Sequence, residues 1–62
     1  MKRVRFETVP IGEKCQTEYK ENIMKIKKVR IQTDSNINYR NAVNLDTGEL
    51  IPIDFAQWVW IN

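Results

Sequence analysis

Apolar residues along this chain recur with a period near two, and that period is the strongest constraint on its fold. Alternation sends successive side chains to opposite faces of a strand, whereas a helix needs apolar residues three and four apart. Val4, Phe6 and Thr8 alternate with Arg3, Arg5 and Glu7, which predicts a half-buried strand from Arg3 to Val9. Pro10 has no N–H for a ladder and Gly12 supplies the positive φ of a tight turn, so Pro10–Glu13 reads as a connection. Lys14 to Tyr19 then forms a second strand with Cys15, Thr17 and Tyr19 on one face, closed by Lys20-Glu21-Asn22.

The longest β-prone stretch is Ile23 to Thr33. Met24 and Ile26 share one parity and Val29 and Ile31 the other, so a bulge is expected at Lys27-Lys28. A helix here would scatter Val29 and Ile31 away from Ile23 and Ile26. Asp34-Ser35-Asn36 is a polar loop. Next, Ala42-Val43-Asn44-Leu45 and Leu50-Ile51-Pro52-Ile53 flank Asp46-Thr47-Gly48. That pattern predicts a hairpin with Gly48 left-handed and Val43 opposite Ile51. Pro52 places its strand at an edge or ends it there. Asp54-Phe55-Ala56 reads as a single 3₁₀ turn, and Gln57 to Ile61 as the last strand. The expected fold is all-β: a small SH3-like barrel or a strongly bent antiparallel sheet of five to six short strands, in one domain spanning residues 1–62.

With 62 residues the core is small, and its net stabilisation is only about 3–5 kcal/mol. One cysteine, Cys15, excludes an intrachain disulfide, and the lack of histidine excludes a Cys/His zinc site. A net charge of +2 is milder than the usual signature of a nucleic-acid binder. No apolar run approaches the roughly 20 residues of a membrane span, and the basic start Met1-Lys2-Arg3-Val4-Arg5 leads into no apolar stretch of a secretory signal. A free thiol without such a signal is expected in a reducing, cytoplasmic setting.

Several short segments resemble a loose group of small phage and prophage proteins. They are Phe6, then Val9-Pro10-Ile11-Gly12-Glu13-Lys14, Met24-Lys25-Ile26, Ala42 through Leu50, and an apolar Val59. Cys15 stands where that group often has a bulky apolar residue, and extra residues lie between Ile26 and Ala42. The resemblance implies a compact β fold of phage or prophage origin. It implies no activity and no catalytic residue.

Chemistry is absent by residue type. Cys15 has no histidine to activate it and reads as a small core residue. The eight carboxylates follow no acid–base motif, and two glycines cannot build a phosphate loop. No enzyme, cofactor or metal is expected. Two surfaces stand out. Trp58 and Trp60 share one strand face, opposite Val59 and Ile61, and with Tyr39 and Arg40 they have the residue types of an interface hot spot. Lys25, Lys27, Lys28 and Arg30 are expected outward on either side of the bulge, and would form a basic stripe with Arg3 and Arg5 if the two strands were neighbours. The first surface favours a non-enzymatic module that binds and modulates a host or phage protein. The second favours a nucleic-acid-binding small barrel, and a homo-oligomer that hides its tryptophans is a third reading.

Overall fold

A computed structural model describes residues 1–62. Alternation does produce strands: β1 (Lys2–Arg5), β2 (Lys14–Thr17), β3 (Asn22–Gln32), β4 (Ile37–Asn44), β5 (Leu50–Ile51) and β6 (Trp58–Ile61), with a 3₁₀ turn at Phe6–Thr8. All six form one antiparallel sheet in the order β1-β6-β2-β3-β4-β5. The end strands β1 and β5 do not pair with each other, so the sheet is open and bent. Of the two architectures expected, the closed barrel is not formed.

One face of the sheet holds the core. Phe6, Ile23, Ala42 and Val59 have no exposed surface, and Val9, Cys15 and Ile53 join them, with Val4, Ile51 and Ile61 packed at the margin. The first expected strand stops at Arg5 because the chain turns there. Val9 N–H donates to the Phe6 carbonyl at 3.0 Å, and the Thr8 hydroxyl donates to the Arg5 carbonyl at 2.8 Å. The turn buries Phe6 and Val9 and leaves Thr8 outside, where unbroken alternation would have buried Thr8.

The second strand ends at Thr17, not Tyr19. Lys20 takes a left-handed φ of 64°, and the buried Thr17 hydroxyl accepts from the backbone N–H groups of Tyr19 (3.3 Å) and Glu21 (3.2 Å). Tyr19 is therefore carried out to 84% exposure.

In β3 the parity is the reverse of that expected. Ile23 is fully buried and Lys25 shares its face, while Met24 and Ile26 point the other way. An irregularity does fall at the expected place. Lys25 pairs with Ala42 and Val29 with Arg40, so Ile26, Lys27 and Lys28 stand opposite Asn41 alone. Since β3 gains an even number of residues there, the phase does not flip, and Val29 and Ile31 keep the parity of Ile23.

The hairpin after β4 has Gly48 left-handed at φ 77°, as its turn requires. Asn44 closes it, its side-chain oxygen accepting from Asp46 N (2.9 Å) and Thr47 N (3.2 Å). The register is one residue from that expected: Val43 pairs with Leu50, and Ala42 with Ile51. Ala42 is the residue that enters the core. β5 is an edge strand and ends at Pro52. Past it, Asn41 continues the ladder with its side chain, accepting from Ile53 N at 2.7 Å and donating to Ile53 O at 2.8 Å. Asp54–Gln57 is a turn, not a 3₁₀ helix, closed by Gln57 N to Asp54 O at 3.0 Å. No helix is long and apolar enough to cross a membrane.

Beyond Lys25 and Asn41 only β3 and β4 pair with each other. They run on as a two-stranded ribbon to a tip at Thr33–Asn36, where Thr33 N donates to Asn36 O at 2.8 Å. This arm gives the molecule its 41 Å long axis against 22 and 19 Å across.

Candidate interaction surfaces

Trp58 and Trp60 lie on the face of the sheet opposite the core, as their alternation with Val59 predicts. β6 is an inner strand, so their neighbours come from both sides. Arg5 pairs with Trp58 and Arg3 with Trp60 across β1, and Gln16 pairs with Trp60 across β2. The register carries the same face through Lys14 and Met24 to Val43 and Leu50. None of these residues is buried, and Leu50 is 38% exposed. The outer side therefore carries two apolar patches, the tryptophans on β6 and Met24, Val43 and Leu50 on β3–β5, with Gln16 and Lys14 of β2 between them.

Trp58 is covered by cations. The Arg5 guanidinium sits 4.0 Å from the ring centroid and that of Arg3 4.8 Å. The planar guanidinium groups lie over the indole face, where the ring quadrupole attracts them. Arg3 is fixed by Glu18 at 2.6 Å, and Arg5 donates to the Ala56 carbonyl at 2.5 Å. Trp60 has no such cover and borders a shallow cleft with Gln16, Asn22 and Leu45.

Tyr39 and Arg40 do not join the tryptophans. They lie on the arm, and their cross-strand partners are Arg30 and Val29, so they point to opposite faces of it. Met24, Val43 and Leu50 share the face of the tryptophans instead, across β2 from them. The Leu50–Val43–Met24 row could have been found only from the correct hairpin register.

The basic stripe is divided by the topology. β6 and β2 lie between β1 and β3, so Arg3 and Arg5 are separate from the lysines of β3. Lys25 is not on the outer side. Its ammonium donates to the carbonyls of Phe6 (3.1 Å) and Glu7 (3.3 Å) and sits 5.0 Å from the Phe6 ring. It ties the 3₁₀ turn to β3, since a lysine on the core face there reaches the Glu7 carbonyl and the Phe6 carbonyl, which also accepts from Val9 N–H. Lys27, Lys28 and Arg30 are exposed on the arm, and Lys28 lies 4.2 Å over the Tyr39 ring.

Cys15 is a buried free thiol. Burial pushes it above its ordinary value of 9.0; the nearby Lys25 charge acts against that shift and Glu13 adds to it. A thiol held protonated is a poor nucleophile, which fits a packing role. No cluster of three or more His, Cys, Asp or Glu residues could hold a metal ion. Comparison with protein-family models, curated proteins and solved structures finds no match.

Proposed function

We propose that this protein is a non-enzymatic interaction module that binds and modulates another protein through the outer face of its sheet. The supporting observation is the unburied apolar surface of this face, Trp58 and Trp60 on β6 and Met24, Val43 and Leu50 on β3–β5, with Lys14 and Gln16 between the two groups and Arg3 and Arg5 beside the tryptophans. Tryptophan and arginine side by side are the residue types that dominate interface energetics. The partner is a protein presenting an apolar surface rimmed by carboxylates. The resemblance to small phage proteins supports a host or phage protein of the bacterial cytoplasm as that partner.

Trp60 is the expected anchor, because no cation stack covers it. Trp60→Ala should leave the thermal melt nearly unchanged and weaken partner binding by about 2 kcal/mol or more. The measurement is affinity capture with wild type and variant, followed by titration of the captured protein at two salt concentrations. Equal capture by a folded variant would rule out this face. A steep loss of wild-type affinity with salt would point to a charge-driven contact instead.

A further inference from the structure

The arm carries more positive charge than the whole molecule. Residues 27–40 contain Lys27, Lys28, Arg30 and Arg40 against Asp34 alone, an excess of three, while the full chain has an excess of two. The rest of the protein is thus slightly acidic, and the cations are concentrated on its one projecting element. We propose that this β-ribbon is a docking element for double-stranded DNA, inserted into the major groove.

Geometry and charge agree on this occupant. The ribbon is two strands wide with nothing paired on either edge. The DNA major groove, about 12 Å wide, admits a two-stranded ribbon, whereas the deep, narrow major groove of an RNA duplex does not. Arg30 and Arg40 are on opposite faces, since Arg30 pairs with Tyr39 and Arg40 with Val29. A ribbon seated in a groove has a phosphate strand on each side, so cations on both faces are needed there. Lys28 stands over Tyr39 on the Arg30 side, and Lys27 is exposed in the bulge that sets the arm's departure from the sheet. A second copy of the ribbon is the competing occupant of such open edges. The same four cations would repel it, which is how exposed strands resist self-pairing.

The test is fluorescence anisotropy of a labelled mixed-sequence 20-base-pair DNA duplex, about 20 base pairs being long enough to accept the arm in successive grooves. The full chain is titrated at several salt concentrations. The logarithm of affinity should fall against the logarithm of salt with a slope of roughly −3, for three to four phosphate contacts. Changing any one of Lys27, Lys28, Arg30 or Arg40 to Gln should flatten the slope by about one unit, and changing all four should abolish binding. Lys2→Gln, at the far end of the sheet, should leave the slope unchanged. Tryptophan emission, reporting from β6, confirms that the fourfold variant is folded. Absence of binding at low salt, binding retained by the folded fourfold variant, or equal binding to an RNA duplex or to polyglutamate would each overturn the proposal.

Discussion

β3 and β4 run together through two environments. In the first, Ile23 and Ala42 are fully buried against Phe6 and Val59. In the second, past the bulge, Ile37 is 50% exposed, Tyr39 47% and Val29 38%. β3 and β4 pair with each other in both, but β2 and β5 extend the ladder on their outer edges only in the first. The layer beneath differs as well. The core half is covered by the 3₁₀ turn and the Ile53 segment, while the arm meets that segment only at its root, where Lys28 and Tyr39 share a cleft with Pro52–Phe55. A two-stranded ribbon alone is marginal in water, so the arm is held by its root and not by its own contacts. The difference also explains where the charges are. Only a strand with no buried face can place Lys28, Arg30 and Arg40 on both sides.

The sharpest way to break this comparison is a matched pair of truncations on the same hairpin. Ile23→Ala should cost about 2–5 kcal/mol, enough to unfold a domain of this size. Ile37→Ala should change stability by less than about 0.5 kcal/mol. Urea denaturation followed by tryptophan fluorescence reads both. Similar losses would mean that the arm is packed in solution.

A smaller effect tests the joint between the halves. Asn41 stands where the ladder passes from core to arm, and its amide makes both bonds to Ile53. Asn41→Ala should destabilise by about 1–3 kcal/mol, leaving the Ile53 N–H without its partner. Asn41→Asp, which keeps the acceptor, should recover part of that loss. If neither variant shifts the urea midpoint, the side-chain ladder does not hold the joint.

The smallest effect concerns the core half alone. The folded Cys15 thiol keeps its proton above the ordinary value of 9.0, whereas the unfolded thiol ionises there. The stabilisation is therefore fully present below pH 9.0 and is lost as pH rises through the raised folded value. Stability measured from pH 7 to 10.5 should fall more steeply for the wild type than for Cys15→Ala. Parallel curves would mean that the thiol is solvated.

Much of the strand pattern was legible because alternation and turn chemistry are local. Val4, Cys15, Thr17 and Val59 are inward as read, Gly48 is left-handed, and the tryptophans lie opposite Val59. Alternation misplaces the residues whose face depends on distant chain. Nothing near Met24-Lys25-Ile26 shows that Lys25 will turn inward onto carbonyls presented by the Phe6–Thr8 turn. Small Ala42 is a weaker apolar signal than Val43, yet it is Ala42, opposite Ile51, that is fully buried. The arm was hidden for a related reason. Ile37, Tyr39 and Val29 alternate like core residues, and only the three-dimensional ends of β2 and β5 show that nothing covers them. Of the apolar residues on the outer face only the two tryptophans are legible locally, since the others come from β3, β4 and β5.

The place of β6 has a kinetic consequence. It is inserted between β1 and β2, with Lys2 opposite Ile61 and Thr17 opposite Val59. The two seams that flank β6 are therefore the pairings most distant in sequence. Such long-range closure slows folding toward the millisecond-to-second range expected of β proteins. Synthesis at about 5–20 residues per second brings β1 and β2 out well before their shared neighbour exists. Until Trp58–Ile61 is available, β1 has no partner strand and Phe6 has no closed core to enter. The β2–β4 hairpins can form early, but commitment to the native state waits for the strand that carries the tryptophans.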